Sequence, residues 1–312
     1  MTDKEIRGVI VPILTPLNAD ETVDTQSLRR LVNYLLDNGV HGIWASGTTG
    51  EFASLSDKQR LISIEAVIDE VAGRVPVIGN VSGGSTQLTI ELALAVVESG
   101  LDGIAVTPPY YFPHAQDELL DHYRYIRDRV PLPLWVYNIP KTVKTAVAPS
   151  TVAKLATEGA GVGNKDSSGA GELLADLNIL CDQGNLRLLR FLGTLYRVTT
   201  ARAVGADGVI PGIANLVPKI AATGWEAGEA GEAETARACD AQLLTATGIQ
   251  RFARAGGPNA ASFSGMKSAL KIMGVLDSDT VSRPMRPLND EEKEGIPALL
   301  DELDLMETAR MA

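Results

Sequence analysis

The sequence predicts an α/β fold, a (β/α)8 TIM barrel with a C-terminal helical appendage. Three observations carry this. Short apolar, β-branched runs alternate with polar-capped amphipathic stretches along most of the 312 residues. The runs are apolar at consecutive rather than alternate positions, the pattern of parallel strands buried on both faces. Eight such runs and seven helical stretches fit within about 215 residues, the scale of one closed parallel barrel. A doubly wound open sheet needs a topological switch point and usually a glycine-rich phosphate turn after its first strand. Here the first run ends in Thr15-Pro16, and no GxGxxG follows.

The strands are expected at residues 8–14, 42–45, 75–80, 103–106, 134–138, 162–165, 188–192 and 208–211. Each ends in Gly, Ser, Thr, Asn, Lys or Pro or runs into such residues, which break an extended run. Helices are expected at 25–38, 56–72, 85–99, 116–129, 149–158, 169–182 and 196–204. Ser56 precedes an apolar run of helical period, and Pro149-Ser150 suits a helix start. From Asn215 onward the strand signal stops. Helical stretches follow at 218–227, 232–252, 262–272 and 290–305, the first placed to serve as the eighth barrel helix. The division expected is a catalytic barrel over 1–214 and a helical region over 215–312, with no linker long enough to separate them as independent modules.

Composition narrows the function. With 28 Lys+Arg against 39 Asp+Glu the net charge is −11. That disfavours nucleic acid and anionic membranes, which select basic faces. The acidic stretch at 224–234 reads as a solvated helical face. Apolar residues at 45% and charged ones at 21% are ordinary globular usage, and a chain this long buries a core without staples. Cys181 and Cys239 have neither CxxC spacing nor a disulfide framework, which suits a reduced, cytoplasmic protein. The N-terminus lacks a secretory apolar region and no run is long enough to span a bilayer. His41, His114 and His122 make no metal-ligand spacing, and there is no GxSxG elbow. No metal or cofactor is called for.

Barrel chemistry sits at the C-terminal strand ends. Lys165 is the most informative residue there. At the inner end of an apolar strand its charged form is disfavoured, and a neutral amine forms a Schiff base with a ketone. The alternative is a rim lysine paired with Asp166. Tyr137 ends the neighbouring strand, either as packing or as a phenol that shuttles protons. Gly47-Thr48-Thr49-Gly50 supplies hydroxyls and N–H groups for a carboxylate, or simply a turn before the next helix. Ser82–Ser85 and Ser167-Ser168-Gly169 read as helix caps. Gly205–Gly212 offers part of a phosphate cradle, but at the wrong end of the barrel.

Together GTTGE (47–51), TPPYY (107–111), YNIP (137–140), NKDSSG (164–169) and GADGVIPGIAN (205–215) resemble the dihydrodipicolinate synthase / N-acetylneuraminate lyase family of pyruvate-dependent class I aldolases. The resemblance runs from about Gly8 to Asn215 in consistent order, and the helical tail suits the family. It implies that Lys165 is the Schiff-base lysine and that Tyr137 relays protons. It implies that Thr48 connects Tyr137 to Tyr111, which a neighbouring subunit usually donates, in what is commonly a homotetramer. It further implies that Thr48 and Thr49 hold the pyruvate carboxylate and that Ile210 borders the pyruvate pocket.

Two positions depart from the namesake enzymes. Dihydrodipicolinate synthases usually carry an arginine shortly after YNxP, and Thr142 stands there; a hydroxyl does not replace a guanidinium fork. Lys141 and Lys144 are out of register for a direct swap. Sialic-acid lyases usually place acidic residues after the strand-seven glycine, but Gly193 is followed by Thr194-Leu195-Tyr196. Asn164 replaces a commonly aliphatic residue. The small polar residue at 142 and GTTGEF look more like the 2-keto-3-deoxy sugar-acid aldolases. The expected activity is therefore reversible cleavage of a 2-keto-3-deoxy sugar acid to pyruvate and an aldehyde. The alternatives are dihydrodipicolinate synthesis, dehydration of a keto-deoxy sugar acid, and a non-catalytic keto-acid-binding paralogue.

Overall fold

The computed structural model of the chain describes residues 5–169 and 171–306. Its strands are β1 (Gly8–Pro12), β2 (Gly42–Ala45), β3 (Val77–Asn80), β4 (Gly103–Val106), β5 (Leu134–Asn138), β6 (Gly163–Asp166), β7 (Leu189–Leu192) and β8 (Gly208–Val209). Each pairs in parallel with its sequence neighbours, and β8 returns to β1 to close the barrel. From β1 to β6 every strand residue is buried. The consecutive apolar pattern thus reports a sheet covered on both faces.

The helices are α1 (Thr25–Asp37), α2 (Asp57–Val71), α3 (Thr86–Ala95), α4 (Gln116–Arg127), α5 (Pro140–Val143), α6 (Pro149–Thr157), α7 (Gly171–Gly184), α8 (Pro218–Ala230), α9 (Ala233–Ala246), α10 (Pro258–Ile272), α11 (Asp290–Lys293) and α12 (Ile296–Glu302). The caps act as the sequence implies. The Ser56 hydroxyl accepts from Gln59 N–H at the start of α2, and Ser85 accepts from Leu88 N–H at the start of α3. Pro149 opens α6, where its missing N–H costs nothing. α8 packs on β1 and serves as the eighth barrel helix. None of the described helices is long and apolar enough to cross a membrane. Both cysteines are buried and free.

The barrel interior is a plug of large side chains. Ile10, Trp44, Ile78, Trp135, Tyr137, Phe191 and Ile210 form one buried cluster. Trp44 meets Trp135 edge-on at 5.9 Å and Tyr137 at 5.5 Å, while Trp135 meets Phe191 at 5.2 Å. Rings of this size fit because small residues face them. A Cβ on Gly163 would lie 2.5 Å from the Trp135 ring.

Several expectations are corrected. Residues 196–204 form a run of turns closed by a 3-10 turn at Arg202–Val204, not a helix. Val198, Thr199 and Thr200 are consecutive β-branched residues, poor at helix initiation. The Thr199 hydroxyl donates to Asp240 at 2.8 Å, and its carbonyl lies where a Cβ on Gly228 would be, at 2.0 Å. The acidic stretch is therefore solvated only in part: Gly224 and Gly228, four apart on α8, receive this segment against the helix backbone. The stretch at 232–252 is helical to Ala246 and then a 3-10 turn over Thr247–Phe252. The stretch at 290–305 breaks in two between Lys293 and Ile296, where Gly295 intervenes. The short α5 after β5 was not expected. The first and last strands are shorter than their apolar runs. Residues 1–4 of the N-terminal stretch read for a leader, residue 170 of the expected helix 169–182, and residues 307–312 lie outside the described residues.

Candidate active site

Strand register builds the site from β5 and β6. Tyr137 is directly paired with Lys165, and Asn138 with Asp166. Alternation sends Tyr137 and Lys165 into the barrel and Asn138 and Asp166 to the other face. Lys165 is buried, with Nζ 4.1 Å from the Tyr137 ring centroid and 4.9 Å from that of Trp44. Burial pulls its pKa below the ordinary lysine value, and the adjacent Tyr137 hydroxyl only partly offsets this. The rim ion pair with Asp166 does not form. Asp166 instead accepts from Asn138 Nδ2 at 2.8 Å and from the Ser168 hydroxyl at 2.9 Å. The Tyr137 hydroxyl lies 3.1 Å from Thr48 Oγ1.

Thr48 and Thr49 sit in a tight turn. Glu51 N–H donates to Thr48 O at 3.0 Å and Phe52 N–H to Gly47 O at 3.3 Å. Ser46 and Glu51, on either side, adopt left-handed backbone. The N–H groups of Thr48 and Thr49 donate to no described residue. They are available to an anion at the barrel mouth. Thr49 reaches the loop after β8, its Oγ1 3.4 Å from where a Gly212 Cβ would stand, and Ile210 belongs to the aromatic interior cluster.

The other expected residues divide. Gly193 adjoins Lys165: a Cβ there would lie 1.9 Å from Ser167 Oγ and 3.2 Å from Lys165 Cε, so a side chain would displace Ser167 and press on the lysine. Thr142 is exposed on α5 and its hydroxyl is spent on Ile139 O at 3.1 Å. Tyr111 is three-quarters exposed. Its ring meets Phe112 at 4.9 Å, and within one chain it makes no hydrogen bond to Thr48. The three histidines stand apart. His41 accepts from Val9 N–H, His122 bonds Thr86, and His114 lies 3.8 Å from Glu118.

A cavity of about 790 Å³ opens beside Gly193 at the ends of β6 and β7. Lys141, Ser167, Glu172, Tyr196 and Arg197 line it. Lys165, Tyr137, Thr48, Thr49 and Ile210 are not among its lining residues; Gly193 and Ser167, which adjoin Lys165, connect it to the lysine. Arg197 was not singled out in the sequence, because only the turn at 196–204 carries it to this mouth.

The sequence reading also missed a buried ion pair behind the Thr48–Thr49 turn. Lys267 on α10 and Glu51 are both fully buried, and Lys267 Nζ donates to Glu51 and to Thr280 O. The other Glu51 oxygen accepts from Ser282 N–H and hydroxyl, both at 2.7 Å. Arg60 supports the same loop from the barrel side, donating to Asn80 O at 3.0 Å and Ser46 Oγ at 3.5 Å. Burial lowers its pKa to about 10. The available signal was a lysine on the face of α10 that is otherwise Phe263, Met266, Ala269 and Leu270.

The model of the dihydrodipicolinate synthetase family matches residues 5–303. A 4-hydroxy-tetrahydrodipicolinate synthase from Trichlorobacter lovleyi is 34% identical over 301 residues, covering 96% of this chain and 99% of the relative. The solved dihydrodipicolinate synthase of Bacteroides thetaiotaomicron is 29% identical with a TM-score of 0.90, covering 97% of this chain and all of the other. YagE, a prophage protein of the dihydrodipicolinic acid synthase family from E. coli K12, solved in complex with pyruvate, is 26% identical with a TM-score of 0.88. It covers 96% of this chain and 99% of its own.

Proposed function

The chain belongs to the dihydrodipicolinate synthetase family of carbon–carbon lyases, and on that premise we propose that it reversibly cleaves a 2-keto-3-deoxy sugar acid to pyruvate and an aldehyde through an imine on Lys165. The observation that supports this most directly is the setting of that lysine. It is buried against two rings, beside a phenol bonded to Thr48, with no carboxylate partner among the described residues. The neutral amine attacks the keto carbon, and water leaves as the imine forms. The imine draws electrons from C3. The C3–C4 bond breaks as the C4 hydroxyl loses its proton, releasing the aldehyde and leaving an enamine. Protonation at C3 and hydrolysis return pyruvate and the free amine. Tyr137 is the proton relay within reach, and such relays contribute about 10²–10⁴-fold.

Thr48 and Thr49 are proposed to hold the keto acid's carboxylate through hydroxyl and N–H groups, with Ile210 and Gly193 bordering the pocket. Tyr111 would complete the relay from a second subunit, in a cytoplasmic homotetramer, since its exposed ring has no role inside one chain. The sugar-acid reading rests on Thr142, whose hydroxyl is turned back to its own helix. A second reading, condensation of pyruvate with aspartate semialdehyde, is favoured by the names of relatives such as that of T. lovleyi.

Incubation with pyruvate and borohydride followed by intact mass tests the imine. Wild type gains one pyruvyl adduct and Lys165→Ala gains none; an adduct on Lys165→Ala overturns the assignment. Strong turnover of aspartate semialdehyde with none of any hydroxy-aldehyde, glyceraldehyde and glyceraldehyde 3-phosphate alike, overturns the sugar-acid reading.

A further inference from the structure

The cavity beside Gly193 is lined by charge that the proposed cleavage leaves unexplained. Lys141, on α5, places Nζ 3.6 Å from where a Gly169 Cβ would stand. Arg197, on the turn after β7, places Nη2 3.9 Å from the corresponding point on Gly171. Both cations therefore lie against the β6–α7 loop, at the opening of α7, whose partial positive charge adds to theirs. Neither forms an ion pair with any described residue, although most arginines of this acidic chain do. Of the two carboxylates in the lining, Asp166 is engaged by Asn138 and Ser168. Glu172, in the first turn of α7, forms no ion pair among the described residues.

We infer that Arg197, assisted by Lys141, is a specificity-determining residue that binds a second negative charge at the distal end of the substrate, so that the preferred keto-deoxy acid is an acid at both ends. This rests on the imine at Lys165 and names the substrate class for that same site. A keto acid bound at Lys165 has its first carboxylate at the Thr48–Thr49 turn. On this proposal its chain passes Gly193 and Ser167, which adjoin Lys165, to reach the cavity, where Thr194 and Tyr196 carry hydroxyls for a hydroxylated backbone. A planar guanidinium matches a carboxylate or phosphate with paired donors, and exposed ammonium groups add field rather than geometry. The guanidinium thus lies elsewhere than position 142. Glu172 opposes a distal anion and sets how strongly it is held.

The test compares aldehydes matched except for the distal charge, condensed with pyruvate: succinic semialdehyde against butyraldehyde, and glyceraldehyde 3-phosphate against glyceraldehyde. Wild type is expected to favour the charged member of at least one pair by at least about tenfold in kcat/KM, the scale of one charged hydrogen bond. The better pair shows whether carboxylate or phosphate is the anion. Arg197→Gln should reduce that preference toward unity, through KM more than kcat, Arg197→Lys should retain part of it, and Glu172→Gln should increase it. A wild-type preference near unity overturns the inference, as does a preference that Arg197→Gln leaves intact. Arg197→Gln and Glu172→Gln shifting it in the same direction would also overturn it, since the two would then act as a surface pair. Thermal unfolding of each variant separates misfolding from lost recognition. If wild type gives no pyruvyl adduct, the imine reading has failed; if it gives the adduct without the charge preference, only the present inference has.

Discussion

Two lysines of this chain are buried to the same degree and treated in opposite ways. Lys165 at the end of β6 has two aromatic faces and a phenol for neighbours. Lys267 on α10 has the Glu51 carboxylate and the Thr280 carbonyl. Desolvation lowers the pKa of both, and in Lys267 the carboxylate opposes it. A ring quadrupole offers roughly 0.5–2 kcal/mol to a cation, far less than a carboxylate at contact in a dry site. Burial alone therefore does not make a reactive amine. On the proposed reading the absence of a counter-charge among the described residues does, and the counter-charge makes the other lysine a structural tie.

Four experiments break or sharpen this contrast. The largest effect is expected for Lys165→Ala, which should abolish pyruvate-dependent turnover without lowering thermal stability, because it removes a buried polar group that has no ionic partner among the described residues. A large drop in melting temperature would make Lys165 structural as well. Next, Tyr137→Phe should slow turnover by about 10²–10⁴-fold with a smaller change in the KM for pyruvate; unaltered kcat would remove Tyr137 from the relay. Third, Lys267→Met should cost about 3–5 kcal/mol by stranding the Glu51 carboxylate. Adding Glu51→Gln should recover part of it in chemical denaturation, and full additivity of the two losses would dissolve the pair.

The smallest effect concerns pH. Because the folded pKa of Lys165 is lowered, the unfolded chain binds more protons than the folded one between that value and the ordinary lysine value near 10.4. Wild-type stability attributable to this group therefore rises with pH across that window. Lys165→Met should accordingly be more stable than wild type at the acid end, with the advantage shrinking as pH rises. Urea melts at several pH values measure it, and a constant difference would mean that Lys165 keeps its ordinary pKa.

The sequence made half of this contrast legible. A lysine ending an apolar strand stands out, since strand alternation and register decide where it points and what lies next to it. The barrel was legible for the same reason: strands covered on both faces have a distinctive run of apolar residues. Lys267 was hidden because its partner is 216 residues away, in a turn read for its hydroxyls. Arg197 was hidden because residues 196–204 were read as a helix, and the close fit of Thr199 against Gly228 that decides otherwise is a tertiary fact. The resemblance identified Tyr111 and Thr142, but the fold places both on the surface of a single chain.

The tie between Glu51 and Lys267 also sets a schedule. A ribosome adding about 5–20 residues per second takes roughly 10–40 s to go from one partner to the other, across the 216 positions between them. Barrel closure of β1 on β8 waits almost as long, because Leu14 N–H finds Asn215 Oδ1 201 positions later. During that interval the loop bearing Thr48 and Thr49 has neither its buried anchor nor its finished rim, and the edge of β1 is unpaired. Until α10 emerges, the turn bearing Thr48 and Thr49 therefore stands without the Lys267 contact that anchors Glu51 in the finished fold.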